Sequence, residues 1–166
     1  LQVALAHPER VRALVLASLP AGPETGRGVA AQAFAFADAI EREGLESAGA
    51  RFAWGSGSGL DATGAALVRQ GFLEHAPHAL AHTLREFLAR LEPVETLAPR
   101  LAELRIPTLV IAGARDAASL PTCRALAAAL PDTTLVVIPD AGHVVNLAAP
   151  AAFDVALLDF LGRLGG

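Results

Sequence analysis

At 166 residues, 53% of them hydrophobic, the chain is sized for one compact domain with a real core. The net charge is −4 and the 13 basic residues are all arginines scattered along the chain, so the clustered basic stripe of a nucleic-acid binder is missing. Much of the mean hydropathy of +0.44 comes from alanine, and no apolar run approaches the roughly 20 residues that span a bilayer. No secretory signal pattern opens the sequence, and the single Cys123 excludes an internal disulfide framework and suits a reducing, cytoplasmic setting. The chain begins at Leu1 and contains no methionine, which leads us to expect a piece of a longer protein.

In chain order, "LQVALAHPERV" reads as a helix stopped by Pro8, and "VRALVLASLPAG" as a short continuous apolar strand closed by Pro and Gly. Such a run suits a parallel strand covered on both faces. Residues 1–21 are therefore expected to form a core helix and strand. From 22 to 104 the patterns are helical ("VAAQAFAFADAIEREG", "ATGAALVRQGFLEHA", "HALAHTLREFLARL", "VETLAPRLAEL"), interrupted by the Gly/Ser joint "WGSGSGLDATG". A connection this long is expected to be an inserted helical cap. Residues 105–166 return to alternation. "IPTLVIAG" (106–113) and "TTLVVIP" (133–139) read as strands, "SLPTCRALAAAL" (119–130) and "PAAFDVALLDFLGRL" (150–164) as helices. Strand, helix, strand, helix with short turns predicts an α/β fold of about three parallel strands with flanking helices.

Three segments carry a resemblance. "ALAHPERVRALVLAS" is similar to the helix and strand that follow the nucleophile elbow of the α/β-hydrolase family. "IPTLVIAGARDAASLP" is similar to the strand that presents that family's triad acid as G-x-x-D, and "LVVIPDAGHVVNLAAPAAFDVALLDFL" to its last strand, histidine loop and closing helix. The chain thus resembles the C-terminal portion of an α/β-hydrolase. The resemblance implies that Asp116 is the triad acid and His143 the general base. A hydroxyl becomes a useful nucleophile once a base removes its proton, and imidazole does so near neutral pH when a carboxylate holds its tautomer. Both residues follow the carboxyl ends of expected parallel strands, where open α/β sheets place their sites. Asp140, on the histidine's own loop, reads as a turn former instead, and Arg115 as a salt-bridge or solvated residue.

The elbow motif G-x-S-x-G is not in these 166 residues; "GSGSG" at 55–59 has Gly57 at its centre and no strand before it. By the resemblance the elbow would fall about seven residues before Leu1. His78 and His82 share a helix face but lack a metal-site pattern, so a solvated helix is expected, with no metal and no cofactor. Cys123 reads as a core residue. Phe34, Phe36, Phe52, Trp54 and Phe72 give the helical block an apolar lining, and the cleft wall is assigned to Leu19, Trp54, Phe72 and Val144. An apolar pocket points to a small, weakly polar acyl substrate.

The expected function is hydrolysis of an ester, lactone or similar acyl bond by a Ser-His-Asp mechanism, with the chain inactive alone for want of its nucleophile. An aspartate nucleophile would instead make a dehalogenase or epoxide hydrolase, and a cleft without turnover a binding protein. Three strands alone leave an apolar sheet edge unpaired, so self-association through that edge is expected. Size-exclusion chromatography checks this: oligomers or aggregates should appear, and a clean monomer contradicts the expectation.

Overall fold

The structure, a computed structural model, describes residues 1–19, 26–58, 60, 62–92 and 94–165. The junction expected at residues 21 and 22 lies outside the described residues, as do Gly59 and Asp61 of the Gly/Ser joint. The chain divides into two compact units, Leu1–Gly22 with Pro93–Gly166, and Pro23–Glu92.

The first unit is built on three strands, β1 (Leu14–Ala17), β2 (Thr108–Gly113) and β3 (Thr133–Ile138), all parallel and in the order β1-β2-β3. Leu14 stands beside Thr108 and Thr108 beside Thr133, so the three strands end at one edge. Every residue of β2 is buried, which explains why "TLVIAG" reads as an unbroken apolar run rather than an alternation. Its even-numbered Val110 and Ala112 face a cluster with Leu97, Leu101, Cys123 and Leu126, while the odd-numbered Leu109 and Ile111 face Val145 and Phe160. Each such fully buried aliphatic or aromatic side chain contributes about 1.5–3 kcal/mol.

Helices cover both faces. On one lie α1 (Gln2–Ala6), α5 (Ala98–Leu101) and α6 (Leu120–Ala129); on the other lie the short α7 (Val145–Ala148) and α8 (Pro150–Leu164). Pro150 opens α8 at its first turn, where the missing N–H costs nothing. Phe153, Ala156, Phe160 and Leu164 then recur at helical spacing against the sheet. The outer face of α8 departs from a simple amphipathic pattern, because Val155, Leu158 and Leu161 are exposed.

The domain boundary needs a correction. Residues 94–104, assigned from their helical pattern to the inserted block, belong to the sheet unit, where Leu97, Leu101 and Leu104 are buried in the cluster beneath β2. Periodicity registers a helix but not the surface against which it packs.

The second unit is helical among its described residues, with α2 (Gly26–Phe52), α3 (Ala62–Leu73) and α4 (Pro77–Glu86). Helix α2 is bent at Gly44, whose φ of +80° is one that side-chain-bearing residues avoid. Small buried residues (Ala37, Ala39, Ala48 and Ala81, around Ile40) form the core of this unit. Arg85 of α4 donates to Glu41 and Asp38 of α2, which raises the guanidinium's pKa above its ordinary value and lowers that of Glu41. Arg69 of α3 makes a two-pronged bond to Glu46, both contacts at 2.7 Å.

Among the described residues no helix is long and apolar enough to cross a membrane. The packing of α8 makes a checkable prediction. Phe160→Ala should cost about 3–5 kcal/mol through lost burial and a residual cavity, read as a lower midpoint in urea unfolding.

Candidate active site

The parallel arrangement brings the ends of β2 and β3 side by side, and the loops that follow are stitched together by main-chain bonds. Ala114 N–H donates to the Ile138 carbonyl at 2.9 Å, and Arg115 N–H to the Ala141 carbonyl at 2.9 Å. This approach is possible because residue 113 is glycine. A Cβ there would lie 2.3 Å from the Ala141 oxygen and 2.4 Å from the Gly142 oxygen, far inside contact distance. Asp140 takes the left-handed turn that starts the histidine loop, with φ of +60°, a conformation that Asp tolerates better than most residues. Buried Val145 anchors the far end of the loop in the core as α7 begins.

These two loops present Asp116 and His143 to each other. His143 Nδ1 lies 2.8 Å from Asp116 Oδ2. The carboxylate can only accept, so Nδ1 carries the proton and Nε2 of the neutral ring keeps its lone pair. The carboxylate side chain is 5% exposed and the imidazole 56% exposed. A buried acceptor thus fixes a ring whose other surface meets solvent. The other carboxylate oxygen, Oδ1, accepts the Ser119 N–H at 3.1 Å. Asp116 therefore accepts one hydrogen bond at each oxygen, from the Ser119 main chain and from the His143 ring. The Ser119 hydroxyl is buried and lies 3.1 Å from His143 Nδ1.

Asp140 makes no bond to the histidine; its Oδ1 pairs with Arg115 at 2.5 Å on the exposed surface. That pairing settles the role of Arg115, and an exposed ion pair of this kind contributes at most about 1 kcal/mol. Cys123 is fully buried in the core cluster, and burial pushes its thiol pKa up. Among the described residues no group of three or more potential ligands could hold a metal ion. His75 Nδ1 instead meets the Gly71 carbonyl at 2.8 Å.

The residues expected to line a cleft fall in different units. Leu19 packs on the core cluster of the sheet unit, and Val144 is half-buried beside His143. Trp54 and Phe72 belong to the helical unit and meet edge to face with ring centroids 5.4 Å apart. Phe72 also stacks on Phe36, which stacks on Phe52. Trp54 is seated on Gly49, where a Cβ would fall 2.0 Å from its ring atoms. Trp54 and Phe72 thus make contacts within their own unit.

Ser119 escapes a reading of the sequence, because it looks like any polar residue before a helix. Gly113 is the glycine of the G-x-x-D pattern, but the pattern does not show that a distant loop packs against it. Ser18, just past β1, adopts φ of +48° and its buried hydroxyl has no hydrogen-bond partner. Strain and an unpaired polar atom thus coincide at the same sheet edge.

A parallel sheet covered on both faces, with a histidine seated on a buried carboxylate beyond adjacent strand ends, defines an α/β protein of the type that carries its chemistry at the carboxyl edge of the sheet. The comparison with known families makes this specific: residues 2–156 match the alpha/beta hydrolase family, and the chain belongs to it. It is 32% identical over 99% of its length to a protein of Variovorax paradoxus whose provisional name is carbamate hydrolase RutD, covering 62% of that protein. It is 30% identical over 95% of its length to a Bacillus subtilis protein provisionally named 2-succinyl-6-hydroxy-2,4-cyclohexadiene-1-carboxylate synthase, covering 60% of it. Among solved structures it superposes on a thermophilic esterase from Thermogutta terrifontis with a TM-score of 0.75 and 25% identity, over 97% of this chain and 59% of the esterase. The chain thus spans about three fifths of the length of these relatives.

The stitching of the two loops predicts that Gly113→Ala lowers stability by about 1–3 kcal/mol, since a methyl group must displace main-chain carbonyls. The His143 Nδ1 proton resonance should weaken or vanish in the NMR spectrum of this variant as the ring leaves Asp116.

Proposed function

We propose that this chain supplies the acid and base of a hydrolase acting on a small, weakly polar ester, lactone, carbamate or related acyl bond. The single observation that carries the reading is the 2.8 Å contact between His143 Nδ1 and the buried Asp116 carboxylate. The similarity to the carbamate hydrolase and the esterase supports the substrate class. The sequence contains no G-x-S-x-G, and in this reading the nucleophile is a serine that is not among these 166 residues.

In this mechanism Nε2 of His143 takes the serine proton as the oxygen attacks the carbonyl carbon. Asp116 stabilises the imidazolium that results and holds its orientation. The imidazolium then returns the proton to the departing alcohol or amine. In the second half-reaction His143 withdraws a proton from water, which releases the acid. Leu19 and Val144 are the residues of the sheet unit assigned to substrate contact. The protein would act in the cytoplasm on a small molecule, with no cofactor.

A second reading has specific support in the similarity to the synthase of Bacillus subtilis. There the same base would withdraw a proton from the substrate itself. The two readings differ in whether esters and carbamates are cleaved.

In a protein that carries this chain together with its serine, His143→Ala and Asp116→Asn should each lower kcat for p-nitrophenyl acetate by about 10⁴-fold. Near-unchanged turnover would overturn the role assigned to the pair. The 166-residue chain alone should show no turnover above the background of free imidazole.

A further inference from the structure

His143 is held by two groups, and one of them has no part in the mechanism given above. Its Nδ1 is 2.8 Å from Asp116 Oδ2 and 3.1 Å from Ser119 Oγ. Ser119 is 1% exposed, and its hydroxyl makes no capping bond to α6, the helix it precedes. Its main chain is already committed, with the N–H given to Asp116 Oδ1 and the carbonyl to Cys123 N–H at 2.9 Å. The side chain is therefore not required for the helix start or for the turn.

We propose that the Ser119 hydroxyl is a positioning residue for His143, accepting the second branch of a shared hydrogen bond from Nδ1–H. The proposal rests on the reading of His143 as the base. The physical need is clear from the exposures. The imidazole is more than half exposed, and one bond to Oδ2 leaves the ring free to pivot about that contact while water competes for the proton. A second acceptor, buried beside the first, confines the N–H direction to the sector between the two oxygens. Nε2, on the far side of the ring, is thereby confined to a narrow arc. Proton transfer depends steeply on that alignment.

Ser119 joins the carboxylate and the ring in one rigid unit. Its N–H orients the carboxylate and its Oγ orients the imidazole, so a shift of the α6 start moves acid and base together. Asp116, with Oδ1 on Ser119 and Oδ2 on His143, closes the triangle.

Ser119→Ala isolates the hydroxyl, because the alanine keeps the N–H bond to Asp116 and removes no helix cap. Nitrogen-15 NMR of the histidine rings in the protein that carries this chain together with its serine gives the test. In the unsubstituted protein the His143 ring should carry its proton on Nδ1, with slow exchange against water. Asp116→Asn should abolish that tautomer preference. Ser119→Ala should keep the preference but speed Nδ1 proton exchange by about tenfold, and Ser119→Thr, which keeps a hydroxyl, should restore slow exchange. In the protein that carries the serine nucleophile, Ser119→Ala should lower kcat by about tenfold with KM unchanged.

The outcomes separate the two readings. If Asp116→Asn leaves the tautomer unchanged, the acid–base pair itself fails, and the role of Ser119 fails with it. If Asp116→Asn shifts the tautomer while Ser119→Ala leaves proton exchange unchanged, only the role of Ser119 is overturned. Should the alanine variant lose its fold, Ser119→Cys takes its place. The thiol fills the same space but is a weak acceptor, so the same acceleration of exchange is expected.

Discussion

The carbonyl oxygens of Ala141 and Gly142 occupy the space that a side chain at position 113 would need. Because Gly113 leaves that space open, the loop after β3 lies directly against the end of β2, and the Arg115 N–H closes the contact on Ala141. Everything chemical in this chain follows from that close approach. Asp116 stands three residues beyond Gly113 and His143 one residue beyond Gly142. Separating the two loops by the width of a methyl group would move the imidazole out of reach of its carboxylate.

Burial then divides the labour between the two groups. The Asp116 side chain is nearly inaccessible, and its two oxygens are both engaged, one by the Ser119 N–H and one by His143. A carboxylate desolvated in this way is stable only when it is hydrogen-bonded, and here it is. The imidazole remains open to solvent on its other side, 56% exposed. The core clusters on the two faces of the sheet supply the rigidity. Leu109, Ile111, Val145 and Phe160 fix the strand ends from one side, and Val110, Ala112, Cys123 and Leu126 from the other.

The helical unit obeys a separate logic. Its aromatic residues are engaged with one another, Phe36 between Phe52 and Phe72, and Trp54 on the edge of Phe72. Its charged residues tie helix to helix, with Arg85 bridging to Glu41 and Asp38. Trp54 and Phe72, assigned from the sequence to a cleft wall, meet each other edge to face within this unit.

Much of this protein is legible in its sequence. The three strands and the helices α6 and α8 emerge at nearly their observed bounds, since continuous apolar runs and helical spacing are local properties. The pair of Asp116 and His143 was implied by the resemblance of their segments to the α/β-hydrolase family, and the two side chains lie 2.8 Å apart. Three features were decided only by the tertiary structure. Residues 94–104 joined the sheet unit because Leu97, Leu101 and Leu104 found their partners beneath β2, far away in sequence. Gly113 became indispensable because a loop nearly thirty residues later crosses over it. Ser119 came to lie against His143 because the start of α6 and the end of the β3 loop share one edge of the sheet. Sequence records which residues can form a strand, a turn or a base; which of them touch depends on how distant segments pack, and no local pattern carries that information.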